Sequence, residues 1–292
     1  MLKKMLKYDM RSVGRVWWIM AISVLGLSLL GMLALKLLFE VSATITSTDL
    51  EVFYVLIIIF CVLFFVMCIV GIVGSSIVTA ILVYLRFYKH FFTDEGYLTF
   101  TLPVSRKTLL LSKSINAMIW TSAHLLLIGI AVCILSMGFP SEYYDGSNYY
   151  GLFALIGKLI RSAWSEIGAW MLVYLLEGVV AIGVLLAFSV ALVHFCITVA
   201  SVIAKRAKLL VAIGIYYGAN TVVSLATQML TTVLSMIFGT GALMDLLENS
   251  SPTVTHIAVA LLILLVTLIV SAVTAVLYFN TLDCIERKLN LA

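Results

Sequence analysis

The sequence predicts an all-α integral membrane protein with six transmembrane helices and with both termini in the cytoplasm. Hydrophobic residues make up 63% of the 292 positions and charged residues 11%, well beyond the apolar content of about 45–50% that soluble domains have. Six apolar stretches reach the length of roughly 20 residues that a helix needs to cross a bilayer. Basic residues are concentrated in the loops on one side of those stretches, which is the pattern that sets membrane orientation.

The predicted spans are separated by polar or turn-forming residues and form a single transmembrane domain over residues 1–292. They cover residues 16–39, 52–85, 115–137, 167–204, 209–238 and 256–279. The second is overlong, because a helix over 52–85 would measure about 51 Å against a hydrocarbon core of about 30 Å. Its sequence has no break that would fold it into two spans. We expect it, and the similarly long fourth span, to tilt or to project into the cytoplasm.

Loop charge predicts the orientation of these spans, since cytoplasmic loops carry an excess of lysine and arginine. An even number of spans places both termini on the same side of the membrane. The basic residues on that side are Lys3, Lys4, Lys7, Arg11, Arg15, Arg86, Lys89, Arg106, Lys107, Lys113, Lys205, Arg206, Lys208, Arg287 and Lys288. The opposite side carries Lys158 and Arg161, and Lys36 lies near the outer end of the first span. The net charge of +4 therefore follows topology and does not indicate a nucleic-acid partner.

Residues 1–15 predict an elbow helix that lies on the inner membrane surface before the first span. Apolar side chains recur there at helical spacing, with the basic side chains mostly on the opposite face, as an interfacial helix requires. A charged flank alone would explain the lysines but not the apolar spacing. The apolar run that follows is too long for the core of a signal peptide, so we expect this segment to be retained.

The stretch FFTDEGYLTFTLPVSRK is a polar interruption between the second and third predicted spans. Thr93 is placed to cap a short helix whose first turn holds Asp94 and Glu95, where acids are favourable. Pro103 ends that helix, and Ser105 is placed to cap the next one. We expect the short helix to present apolar side chains to a groove on a soluble partner. These side chains are Phe92, Tyr97, Leu98 and Phe100.

The sequence contains no motif for catalysis, nucleotide binding or metal binding. It has no GxxxxGK(S/T) phosphate loop, no HExxH and no GxSxG, the patterns that place a phosphate, a zinc ion or a nucleophile. Its five cysteines lack CxxC spacing, and its four histidines are scattered over different predicted elements. We therefore expect no catalytic residue, metal site or cofactor on this chain, which argues against an enzyme acting alone.

Glu177 is a lone acid well inside the fourth predicted span. An ionisable group at membrane depth is a functional candidate, because its desolvation costs several kcal/mol unless it is paired or hydrated. The alternative is a structural role, with a tyrosine, serine or histidine of a neighbouring helix as partner. The sequence leaves both interpretations open.

The fifth predicted span carries a polar stripe. Its members recur at spacings of three and four residues, and so they share one helix face. They are Asn220, Ser224, Thr227, Gln228, Thr231 and Ser235. Gly214 and Gly218 begin the span as a GxxxG pair, which permits close helix approach. A polar face must meet protein or water; the options are packing inside one subunit, a subunit interface or a substrate route, and the length of the stripe favours the last two.

The outer connection between the third and fourth spans combines the turn-rich stretch SEYYDGSNYY with the amphipathic stretch GLFALIGKLIRSAW. We expect the second stretch to form a helix. It either rests on the outer leaflet or serves as a simple connector.

The stretch RFYKHFFTDEGYLTFTLPVSRKTLLLSK, residues 86–113, resembles a loop of the permease subunits of type 2 ABC exporters. In a bacterial, largely Firmicute branch of that family, a DEGYLxFTLP-like string precedes a short basic turn and the third span. The six-span layout resembles the family over the whole chain. The resemblance implies an elbow helix at 1–15 and a coupling helix around 91–101 that contacts the ATPase. The implied contact residues are Thr93, Asp94, Glu95, Gly96, Tyr97, Leu98 and Phe100.

The same resemblance implies a complex in the bacterial cell membrane. Two separate ATPase subunits would bind ATP and Mg²⁺, and a second permease subunit, identical or homologous, would complete the transporter. Export would proceed by alternating access, and relatives export peptides, lipids, glycans or drugs. The outer loop between the fifth and sixth spans is short for the membrane-dipping hairpin of many family members.

Two other classes of function remain open at the level of sequence. A secondary transporter or channel would use Glu177 as its ion-linked group, although the chain has no convincing inverted repeat. A non-transporting sensor or immunity subunit would use the same cytoplasmic loop to bind an ATPase. Co-purification of an ATPase separates a secondary transporter or channel, which needs none, from an exporter subunit and from a sensor or immunity subunit.

Overall fold

A computed structural model describes residues 2–44, 51–101, 103–139, 143–145, 148–150, 152–204, 206–239 and 251–288. Nearly all of these residues are helical. The helices are α1 (Leu2–Thr44), α2 (Glu51–Phe92), α3 (Asp94–Phe100), α4 (Arg106–Ser136), α5 (Leu152–Ile167), α6 (Trp170–Ile203), α7 (Lys208–Gly239) and α8 (Pro252–Asp283), and α8 continues into a π-helical turn (Cys284–Lys288). Two short strands, β1 (Tyr143–Asp145) and β2 (Asn148–Tyr150), pair antiparallel.

Six helices of the described chain are long and apolar enough to cross a membrane, and they are α1, α2, α4, α6, α7 and α8. The predicted number of such helices is therefore confirmed, as is their order. Helix α2 is a single helix of 42 residues, so the prediction that the second span has no internal break is also confirmed. At 1.5 Å per residue α2 measures about 63 Å, roughly twice the thickness of a hydrocarbon core.

Several helices extend beyond, or begin later than, the spans predicted from hydropathy. Helix α1 runs unbroken from residue 2 to residue 44, so the segment predicted as an interfacial helix at 1–15 continues directly into the first span; no proline interrupts the hydrogen bonding there. Helix α4 begins at Arg106, directly after the predicted cap at Ser105 and ahead of the apolar span predicted from 115, because a helix cap and not hydropathy sets its first turn. Helix α6 begins at Trp170, after the predicted start at 167.

Gly168 explains the later start of α6. Its φ of +62° is a left-handed conformation that glycine adopts at little cost, and such a residue commonly follows the last turn of a helix. The amide of Gly168 donates to the carbonyl of Trp164 at 2.9 Å. The amphipathic stretch before it is therefore an independent helix, α5, as predicted.

The helices group into two compact units, residues 1–85 with 115–168 and residues 86–114 with 169–292. In the first unit, α1 contacts α4 through Trp17 and Trp120, whose ring centroids lie 5.2 Å apart. Helix α1 approaches α2 at Gly31, where an added Cβ would lie 3.3 Å from Cys68 Cβ. In the second unit, α6 packs against α7, α8 and the π-helical turn. The single domain predicted over 1–292 stays a prediction.

Candidate functional site

Helix α3 is fastened to the end of α2 through Thr93. The Thr93 hydroxyl donates to the carbonyl of Lys89 at 2.6 Å, and the amide of Gly96 donates to the carbonyl of Thr93 at 2.7 Å. Thr93 thus occupies the cap position of α3, but its side chain makes no cap hydrogen bond. The predicted side-chain cap is wrong, because the hydroxyl instead satisfies a carbonyl in the last turn of α2.

Gly96 allows α3 to lie directly on the backbone of α2. It is buried, and a Cβ at this position would lie 2.8 Å from the carbonyl oxygen of Phe91 and 3.0 Å from its carbonyl carbon. Backbone atoms cannot move aside as the end of a flexible side chain can. Any side chain at residue 96 would therefore push α3 away from α2.

The aromatic and aliphatic residues around α3 divide into an inner and an outer group. Phe91 is 0% and Phe92 8% exposed, and the Phe100 ring meets Phe91 edge-on with centroids 5.7 Å apart. By contrast, Tyr97 is 66% and Leu98 68% exposed. The prediction that Phe92 and Phe100 face a partner is wrong for Phe92, which packs inward at the end of α2, while the half-buried Phe100 turns its ring toward Phe91. We call the four exposed residues of α3 the α3 surface, and they are Asp94, Glu95, Tyr97 and Leu98.

His90 lies behind the acidic edge of the α3 surface. The Lys113 ammonium donates to His90 Nδ1 at 3.1 Å, since an ammonium has no acceptor. The other ring nitrogen, His90 Nε2, lies 3.8 Å from Glu95 Oε2. That separation is too long for a hydrogen bond, and Glu95 is exposed, so the contact contributes little to stability.

Arg106 joins the start of α4 to the end of α8. Its Nη1 donates to the carbonyls of Ile285 at 2.7 Å and Glu286 at 2.8 Å. Its guanidinium carbon lies 5.3 Å from the centroid of the Phe100 ring. The Thr108 amide donates to Ser105 Oγ at 3.3 Å, so the predicted helix cap at Ser105 is confirmed.

A buried histidine connects α2, α4 and α6 in the same unit. The His194 ring stacks on Phe87 with centroids 3.8 Å apart, and His194 Nδ1 lies 3.3 Å from Ser114 Oγ. Sequence reasoning did not identify these contacts or those of Arg106. A local sequence pattern gives no signal for a contact between residues such as 106 and 285, which are 179 positions apart.

The polar stripe of α7 is exposed along its whole length. The hydroxyls of Thr227, Thr231 and Ser235 donate to carbonyls of their own helix. The amides of Asn220 and Gln228 have no hydrogen-bond partner in the part of the chain that the structure describes. An added Cβ at Gly214 or at Gly218 would meet nothing within 4 Å, so no described helix uses the GxxxG pair.

Glu177 is half-buried on α6. Its Oε2 is inaccessible and has no hydrogen-bond partner among the described residues. Tyr174, one turn earlier, instead pairs its hydroxyl with His256 Nδ1 of α8 at 2.9 Å. Within the described ranges, the tyrosine, serine or histidine partner that the structural alternative requires is therefore not found.

The structure brings the predicted coupling residues together on one short helix but does not join them to Glu177 or to the α7 stripe through any contact in the described ranges. No protein-family model, curated protein or solved structure matches the chain. The family suggested by residues 86–113 consequently stays a resemblance.

Proposed function

We propose that this chain is the membrane-spanning permease subunit of an ATP-binding-cassette exporter in a bacterial cell membrane. The observation that carries the proposal is the α3 surface. A seven-residue helix is held rigidly on the end of a 42-residue helix and leaves Tyr97 and Leu98 exposed. A small, stiffly mounted apolar projection is suited to fill a groove on a soluble protein.

The proposed orientation places α3 and both termini in the cytoplasm. The positive-inside pattern supports this placement, and so do the exposed side chains of Lys3, Lys4 and Lys7 on the first turns of α1. That part of α1 would act as the elbow at the inner leaflet. Its Tyr8 is largely exposed and would sit at the headgroup level, where amphipathic rings are favoured.

The proposed mechanism separates energy supply from transport. Two ATPase subunits would lie against the cytoplasmic side of the chain, hold the α3 surface, and bind ATP and Mg²⁺. When the ATPase subunits close around ATP, they would displace the α3 surface. The exposed carboxylates of Asp94 and Glu95 would pair with basic residues at the rim of the groove and fix the orientation of docking. The displacement would shift the spans between inward-open and outward-open states, which is alternating access.

A second permease subunit, identical or homologous, would cover the α7 stripe. Helix association in lipid depends on close packing and on hydrogen bonds between helices. Asn220, Ser224 and Gln228 offer such donors and acceptors, and Gly214 and Gly218 leave room for a partner backbone. The stripe would then lie at the subunit interface and line part of the substrate path.

The experiment that tests the proposal is purification of the tagged chain from a bacterial membrane. We expect an ABC ATPase to co-purify and to show vanadate-sensitive ATP hydrolysis. The double variant Tyr97→Ala/Leu98→Ala should lower the affinity for that ATPase by about tenfold or more, because it removes the buried anchors of the interface.

Tyr8→Ala/Leu210→Ala is the matched control, since it removes a tyrosine and a leucine of similar exposure outside α3. Its affinity for the ATPase should equal that of the unaltered chain. Equal binding by both double variants would contradict docking through α3. A chain that never co-purifies with an ATPase would contradict the proposed function itself.

A further inference from the structure

Arg106 of α4 contacts two other elements of the second compact unit, α3 and the π-helical turn. It is the first residue of α4, its guanidinium lies over the Phe100 ring of α3, and it donates to the carbonyls of Ile285 and Glu286. Those carbonyls belong to the π-helical turn that ends α8. A single cation therefore joins the junction of α3 and α4 to the last described turn of the chain.

The chemistry of each contact suits an arginine. Carbonyls in the last turn of a helix lack partners within it and carry the negative end of the helix dipole, so a basic side chain there is favourable. The planar guanidinium can also stack on an aromatic ring while it donates sideways. A lysine would keep the charge but would lose the planar stacking and the fixed direction of its donors.

Both ends of this link are themselves held in place. Phe100 packs against the fully buried Phe91, and Ile285 is 0% exposed in a turn that packs on α6. A displacement of α3 consequently cannot leave the end of α8 unchanged unless the Arg106 contacts break. Phe87, stacked on His194, gives α6 a second connection to the end of α2.

We propose that Arg106 is a positioning residue that fastens the end of α8 to α3, so that a displacement of α3 moves α8. This proposal rests on the proposed function, because the ATPase would supply the displacement. It extends that function by assigning the movement to α8 and α6, which share a compact unit with the two helix ends that flank α3. Arg106 itself does not contact the ATPase in this scheme.

Hydrogen exchange on the purified chain in lipid nanodiscs tests the link without any ATPase. Arg106→Gln should speed exchange in residues 284–288 and in α3 by about tenfold or more, because both segments lose contacts with one charged group. Lys107→Gln is the matched control, since it removes the same charge one residue later on an exposed side chain. Arg106→Lys should give intermediate exchange. Equal exchange in Arg106→Gln and Lys107→Gln would overturn the proposal.

The transmission step is measured on the complete complex with its ATPase trapped by ADP and vanadate. Trapping should change exchange in both α3 and α8 of the unaltered chain. In Arg106→Gln the change in α3 should persist and the change in α8 should disappear, a separation that a general loss of stability would not produce. Persistence of both changes would overturn the transmission role. Failure of any ATPase to bind would contradict the proposed function alone, because the nanodisc measurement judges the link independently.

Discussion

Gly96 sets how closely α3 can approach α2, because the space that a side chain would need there is filled by the backbone of Phe91. The contact keeps Tyr97 and Leu98 on the outer side of α3 while Phe100 packs inward. A glycine whose role is close approach is replaceable only at the cost of moving one of the two helices. The orientation of the α3 surface therefore depends on a residue that contributes no side chain to it.

Gly96→Ala should destabilise the packing of α3 against the end of α2 by about 1–3 kcal/mol, the usual cost of forcing extra atoms into a packed contact. We expect faster hydrogen exchange in α3 and weaker binding of the proposed ATPase. Gly129→Ala in α4 is the control, since an added Cβ there meets nothing within 4 Å and alanine favours a helix. Equal exchange in α3 of the two variants would show that the approach at Gly96 imposes no constraint.

The residues of α3 mark the limit of what local sequence can predict. The cap at Ser105 and the acids of the first turn follow from rules that act within a few residues, and they were predicted correctly. The inward packing of Phe92 was not predicted, since the choice between inner and outer faces of a seven-residue helix depends on the element against which it packs. Thr93 was misassigned for a similar reason, because a carbonyl of the preceding helix competes for its hydroxyl.

Helix α7 differs from the other apolar helices by carrying a polar face that no described part of the chain covers. Its hydroxyls are satisfied within the helix, but the Asn220 and Gln228 amides require partners that lipid cannot provide. The sequence predicted the stripe fully, because it depends only on helical period. It could not predict what covers that face, because the described part of the chain does not cover it.

Ser224→Cys in a cysteine-free background should form a disulfide-linked dimer in native membranes, because the proposed interface brings two copies of the stripe together. Val222→Cys is the control, since this exposed residue lies on the opposite face of α7, where lipid is expected. Band intensity on a non-reducing gel gives the measurement. Cross-linking through residue 222 but not through residue 224 would place the dimer contact on the other face and contradict the interface. If the partner is a homologous chain, one cysteine is introduced into each of the two chains.

At the scale of the whole molecule, the predictions that hold are those that follow from the bilayer as a solvent. Hydropathy alone gives six helices of sufficient length, because every spanning segment must bury its own backbone polar groups. The grouping of residues 86–114 with α6, α7 and α8 could not be predicted, since it depends on contacts such as that of Arg106 with Ile285. Under the proposed function the source of energy is likewise a property of the assembly, and identifying it requires a measurement on that assembly.

A transport measurement on Glu177 variants tests the source of energy, because Glu177 is the group on which a secondary transporter would depend. Under the proposed function, the chain alone in liposomes should dissipate an imposed proton or sodium gradient no faster than empty liposomes do, and Glu177→Gln should behave identically. The same variant in the complete complex should retain vanadate-sensitive ATP hydrolysis within about twofold, since this carboxyl has no described relay partner and single changes outside an active site are usually mild. The opposite result would be that the chain alone dissipates the gradient and that Glu177→Gln abolishes this dissipation. It would identify an ion-coupled carrier, and the ATPase would have no part in its energy supply.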